Sequence, residues 1–470
     1  VSCSELFVAP TAVLSGASDI NGGGPRMNTD GSAVDSSADC TGAANQITNN
    51  LGAWTDVQTD DVLCSITDGQ KESYRATNVA GAVITCDRNL VTEYTNRPVR
   101  VGGALATPLR AVQIVHPTYH GGTNGAPRIN IYAGTYQVGA ALTPLYDGAH
   151  DIPLTCRGVA SWSVSGTTVT ITEATTPCVL FDAKADDYQV LYTDKAYWIW
   201  EFLEFDGNVG GTPQNQYATH CHDNASCNIF RRCRVKNAGS IGFYTNAFGT
   251  LYSGCELSTW GEAAATAGMV FASNASGSSA WGCNVHDGTG RCFQSAAPGT
   301  QIAYSLLHGA SSHGIQLNDQ GAENTTFIDH CVIRGNGGSG ILIANATEGQ
   351  SAHIRNAIIA GNGAYGIAGH ATGKGQASLE GVAFHGNVTD EVDGNVVVYE
   401  PGGRLSLSND PFVDAANGDF RLNPDYVELL GAGQPDYFLS GGVLTPWQSY
   451  PDIGAVHRIP RGRRTVVRVG

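Results

Sequence analysis

The chain has 470 residues, 60 of them glycine, against a usual ~7%. Charged residues make up only 14%, against a usual ~25%, and the net charge is −16. This composition excludes coiled coils, long exposed helices and charged disordered tails, and the charge argues against binding nucleic acid or an acidic membrane surface. No apolar run reaches the ~18 residues of a membrane span, so no membrane insertion is expected.

Residues 1–100 read as a small β-rich domain, serving either for attachment or as an N-terminal cover for a solenoid. Leu6-Phe7-Val8-Ala9-Pro10, Thr55-Asp56-Val57-Gln58, Asp61-Val62-Leu63-Cys64 and Gly81-Ala82-Val83-Ile84-Thr85-Cys86 are its candidate strands. Thr107-Pro108 then starts a short helix, with a threonine N-cap, proline at the first helical position and an apolar face on Leu109, Val112 and Val115. Ile129–Tyr136 alternates as a strand.

From about residue 200 the sequence repeats. Segments align on Cys233, Cys255, Cys283, Ser305, Cys331, Ala357 and Val382, in steps of 22 to 28 residues. An apolar column stands two residues later: Val235, Leu257, Val285, Leu307, Ile333, Ile359 and Phe384. Another stands three residues earlier, from Phe230 to Leu379, and an earlier turn starts at Leu203. A small residue and then an apolar one come nine residues later, as in Gly314-Ile315, Gly340-Ile341 and Gly366-Ile367. Each unit reads as short strands joined by turns, with Asn336-Gly337, Asn362-Gly363 and Asn387 expected to supply left-handed turn angles. One unit cannot bury its apolar face alone, but stacked units can, at ~4.8 Å per layer. The expectation is seven or more coils of three strands over residues 101–395. The cysteines then form an interior ladder expected to stay as thiols. Cys221 and Cys227 are close enough in sequence to bridge a small loop.

These columns resemble the pectate-lyase-like right-handed parallel β-helix superfamily. Gly102–Pro108 with Ile131–Tyr136 is similar to its capping helix and first coil, as found in phage virion and tailspike proteins. Asp410–Asp414, Gly418–Leu422 and Pro451–Ala455 are similar to its closing segment, which places a C-terminal cap at 396–457. The run Tyr426–Leu430 departs from that pattern. The resemblance implies an all-β fold and leaves activity open, because this fold carries lyases, hydrolases, adhesins and structural parts.

The residues a polysaccharide lyase or glycosidase would need are sparse. Asp287 is the one acid of its outward column, too few for a calcium site. Ser312-His313-Gly314-Ile315 resembles a fragment of the polygalacturonase pattern, which makes His313 and Asp287 the candidate catalytic pair. Asp329, Arg355 and Glu380 fall on successive coils and read as an ion ladder. Trp260, Trp281 and Tyr304, with His286 and His308, are the candidate carbohydrate-binding residues. His220-Cys221-His222-Asp223 is dense in ligand types but reads as a loop, and no metal or cofactor is expected. Arg458, Arg461, Arg463, Arg464 and Arg468 form a basic tail at 458–470, read as a docking arm for other virion or surface proteins.

The leading expectation is a structural or adhesive β-helix on a virion surface, as a capsid decoration or a receptor- or glycan-contacting spike without catalysis. The rivals are a secreted bacterial polysaccharide lyase or hydrolase, and a cell-surface or filament scaffold. A homo-oligomer is compatible with all three.

Overall fold

A computed structural model describes residues 5–426 apart from 20, 22, 24–25, 31, 60, 68–69, 92, 116, 118–125, 166–167, 183–188, 208–216, 262–265, 319–324, 345–350 and 372–374. It also describes Leu429 and the strands Tyr437–Ser440 and Val443–Pro446. The basic tail and Pro451–Ala455 lie outside the described residues. The chain divides into two units, 1–278 and 279–470.

In the first unit, six antiparallel strands between Asp35 and Val101 close into a small barrel. Its core is Cys40, Ile47, Leu63, Tyr74, Ile84, Val99 and Val101. Thr55–Gln58 is a loop rather than a strand, because the Thr55 and Asp56 amides donate to the Asp35 carboxylate instead of to a neighbouring strand. The strand Glu5–Val8 does not join the barrel. It pairs in parallel with Arg128–Tyr132 and so forms the first rung of the solenoid.

The helix Pro108–Ile114 starts where expected: Thr107 Oγ1 accepts from the Arg110 amide. Its buried face is Ala111, Val112 and Ile114 together with Arg110, while Leu109 is half-buried. It packs against the strands Glu5–Val8 and Arg128–Tyr132 and against the barrel strand Gln70–Ala80. The alternating stretch at 129–136 is two strands, broken at Ala133–Gly134 where the chain bends from the first sheet to the second.

In both units the chain winds through three parallel sheets. The third sheet has four strands in the first unit and five in the second, about nine turns in all. Two columns of left-handed backbone make the bends. The residue before each anchor has positive φ: Arg232, Gly254, Gly282, Tyr304, His330, Asn356 and Gly381. So does the residue four after it: Asn237, Thr259, Asp287, Gly309, Gly335, Gly361 and Gly386. The left-handed residues are therefore the glycines before the asparagines, not the asparagines. Asn336, Asn362 and Asn387 point inward and form a ladder. Asn336 Nδ2 donates to Asn362 Oδ1 at 3.0 Å, and Asn362 Nδ2 to Asn387 Oδ1 at 2.9 Å.

The anchor cysteines are buried thiols. Cys233 and Cys255 donate to the carbonyls of Trp200 and Phe230, and Cys331 to that of Ile302, each one coil back. Cys221 and Cys227 are also free thiols and do not bridge. The first unit's core carries an aromatic stack, with Trp200, Phe230 and Tyr252 on successive rungs and centroids 6.3 and 5.0 Å apart. The second unit has aliphatic residues at the equivalent repeat positions, Ala280, Ile302, Ile328, Ile354 and Leu379.

In the second unit one of the two outward columns of the second sheet turns apolar. Leu306, Val332, Ile358 and Ala383 point out on successive rungs, and residues 405–426 together with Leu429 lie over them, with Phe412, Phe420 and Leu429 buried there. Arg334 fixes this strap with two 2.7 Å hydrogen bonds to Asp410 and sits over the Phe412 ring. Burial alone would raise the Asp410 pKa, but the Arg334 hydrogen bonds and the Phe412 amide hold it below its ordinary value.

Candidate functional site

The outward face of the first sheet in the second unit is the site these bends build. Its strands Ser279–Trp281, Gln301–Ala303, Thr325–Asp329, Ser351–Arg355, Gly375–Glu380 and Val396–Tyr399 pair in parallel and in register. With alternate residues facing inward, one outward column runs Trp281, Ala303, Asp329, Arg355 and Glu380. The next runs Gln301, Phe327, His353, Ser378 and Tyr399. Trp281, Phe327 and Tyr399 are exposed at 40%, 42% and 69%.

Polar groups stand between these rings. Arg355 bonds Asp329 through Nε, at 3.1 Å, and through Nη2. Burial would raise the Asp329 pKa, but hydrogen bonds from His330 and Arg355 outweigh it and lower it. His353 Nε2 lies 3.3 Å from Glu380 Oε1, and its ring is 5.9 Å from Phe327. At the edge of the face, Tyr304 stacks on the buried His330 at 4.7 Å and meets Trp281 at 5.6 Å. The left-handed angles of Tyr304 and His330, φ 52° and 49°, set both rings at this bend. The result is a ridge of aromatic faces beside paired carboxylate, guanidinium and imidazole groups. That is the chemistry that holds a sugar by its C–H face and its hydroxyls.

Of the residues singled out from the sequence, Trp281 and Tyr304 meet here. Trp260 does not. It is 2% exposed and offers no face to a ligand. The left-handed Thr259 turns the chain so that Trp260 points inward, at the place in its repeat that Asn336 and Asn362 take in theirs.

His286 and His308 stack on the second sheet, 5.2 Å apart and 8° from parallel, with Asp287 Oδ2 2.8 Å from His286 Nδ1. The strap covers His308, since Phe420 lies 4.8 Å from its ring. His308 is a packing residue. Burial, with the nearby charge of His286, lowers its pKa to about 4; Asp287 opposes the shift and Arg334 adds to it. Its ordinary value of about 6.5 applies once the chain unfolds. The unfolded chain therefore binds the extra proton between those two values. Stability should fall as pH drops from about 6.5 to about 4, and urea unfolding should show a shallower fall for His308→Gln.

The structure does not bring His313 and Asp287 into hydrogen-bond contact. The His313 Nδ1 accepts from the Ser339 amide at 3.0 Å, and among the described residues no hydrogen bond or ion pair joins it to Asp287. Gly314 comes next for steric reasons, because a Cβ there would come within 2.4 Å of Ile333 Cγ2. Among the described residues no group of three or more His, Cys, Asp or Glu is placed to hold a metal ion, and no helix is long and apolar enough to cross a membrane.

Residues 218–389 match the family described as "Right handed beta helix region". A comparison with curated proteins found no match. Among solved structures, the chain is similar to pectate lyase Pel9A at 14% identity, covering 76% of this chain and 92% of that one, with a TM-score of 0.45. It is similar to a rhamnogalacturonan lyase at 14% identity over 70% and 93%, with a TM-score of 0.44. It is also similar to ORF18 of Geobacillus virus E2 at 12% identity over 62% and 56%, with a TM-score of 0.40. The parallel rungs, the inward columns and the matched segment together make the solenoid of this chain a right-handed parallel β-helix.

Proposed function

We propose that this chain is an adhesive β-helix that contacts glycans through the outward face of residues 279–399, without cleaving them. The observation that carries this reading is the exposure of Trp281, Phe327 and Tyr399 on one sheet face, beside the paired Asp329, Arg355, His353 and Glu380. Aromatic rings on a solvent face are costly unless something covers them, and a pyranose covers them well. A virion surface is the setting we favour. The eleven described cysteines are all free thiols, which suits a chain that folds in a reducing compartment before assembly and suits a secreted enzyme less well. The N-terminal barrel and the arginine tail would then serve to anchor it.

The test is a panel of neutral, amino and uronic polysaccharides, each assayed for binding and for release of shorter chains. Binding without release is expected. Trp281→Ala and Phe327→Ala should each weaken it about tenfold, roughly 1.4 kcal/mol. Turnover abolished by His313→Ala or Asp287→Ala would overturn the reading in favour of a lyase or hydrolase.

A further inference from the structure

The outward face of the third sheet in the first unit carries a second group of rings. Tyr192, His220, Tyr244 and Val270 stand in direct register on the strands Leu191–Thr193, Tyr217–Cys221, Ile241–Thr245 and Ala267–Phe271. His220 lies at the centre. Tyr192 and Tyr244 meet it edge-on at 5.2 and 4.8 Å, Tyr217 tilts over it at 4.9 Å, and His222 is 5.7 Å away. His220 and Cys221 belong to a strand, not a loop, so their side chains part: Cys221 is buried and His220 faces outward. The four-residue run therefore does not converge on a metal.

The five rings are half-buried and Asp223, beside them, is exposed. Burial, and next the charge of His222, lower the His220 pKa to about 4. A neutral imidazole this weakly basic is a poor proton acceptor for catalysis near neutral pH, but it remains a hydrogen-bonding ring. Its Nδ1 is buried with no partner among the described residues. Burial raises the phenol pKa values of Tyr192 and Tyr244, helped at Tyr192 by Asp194 and then Asp223 and at Tyr244 by Tyr217 and then Asp223, so both keep their O–H donors. The charges are not balanced. Asp194 is paired with Lys195 at 3.2 Å, whereas Asp223 accepts only from the neutral amide of Asn246 among the described residues.

We propose that this patch is a separate carbohydrate-binding site whose ligand is a glycan bearing unacetylated amino sugars. Pyranose C–H faces stack on the phenol rings, and rungs spaced about 4.8 Å apart offer one ring per layer along the chain of sugars. The ammonium group is drawn to Asp223 and to the π faces, while a uronate is repelled by the same carboxylate. The site shares no residue with the face of Trp281, so either can fail alone.

The test is calorimetric titration of the full chain with three tetrasaccharides: β-1,4-linked glucosamine, its fully N-acetylated form, and galacturonate. Glucosamine should bind at least tenfold more tightly than the other two. Tyr244→Ala should lower that affinity about tenfold, and Asp223→Asn, at an exposed position that leaves folding intact, should erase the preference for the free amine. Trp281→Ala should leave it unchanged. Equal binding of the three sugars, a preference that survives Asp223→Asn, or a loss seen with Trp281→Ala but not Tyr244→Ala would overturn the assignment.

Discussion

Replacing Asn362 by leucine should destabilise the second unit by about 4 kcal/mol, although leucine nearly matches asparagine in shape. Asn362 is fully buried. Its Oδ1 accepts from the Asn336 amide at 3.2 Å and from Asn336 Nδ2 at 3.0 Å. Its Nδ2 donates to the Ile333 carbonyl at 3.2 Å and to Asn387 Oδ1. Leucine removes all four bonds and leaves two donors of Asn336 dry and unpaired. Such orphaned groups cost about 1–3 kcal/mol each. Asn387→Leu, at the half-buried end of the ladder, should cost less than half as much. Urea denaturation of the full chain, monitored by fluorescence, measures both. Equal effects at the two positions would show that the ladder does not act as a chain of mutually supporting bonds.

Phe230→Ala should cost the first unit about 3–5 kcal/mol, the range for deleting a buried aromatic ring. Phe230 is stacked between Trp200 and Tyr252 at 19° and 18° from parallel, and Phe243 meets its edge at 5.9 Å. The rungs on either side are held by parallel backbone bonds, so the neighbours cannot close the space. Phe230→Leu should recover much of the loss because it refills the volume. If Phe230→Ala costs under ~1 kcal/mol in thermal or urea unfolding, the stack is not a structural column.

The solenoid is legible in the sequence because its anchor, core and bend residues recur with the coil. Cys233 and Val235 mark the same bend as Cys331 and Ile333. The coils before Leu203 leave no such trace. There the first-sheet strand Leu154–Ser165 continues into a hairpin with Thr168–Glu173, which breaks the spacing. The asparagines mislead because Asn before Gly favours a turn in isolation, whereas here the preceding glycine takes the left-handed angle and frees the asparagine to point inward. The same bend puts Trp260 inside. The strap leaves its mark in one change of residue type. The outward position that holds Arg234, Glu256 and Asn284 becomes Leu306, Val332, Ile358 and Ala383, and an apolar outward column needs a cover. The candidate ridge is half legible. Trp281 and Tyr304 stand out as aromatics, but Phe327 and Tyr399 can be assigned to the outer face only once the register is known.

The returning strap bears on how this protein would withstand traction. A pull on the C-terminal end would reach the Asp410–Arg334 clamp and the seated Phe412 and Phe420 side by side, so these contacts would have to slide together. The terminal rung at Arg404–Ser406 would then not peel away one hydrogen bond at a time. For a chain held at one end and loaded at another, that is the difference between shearing and unzipping.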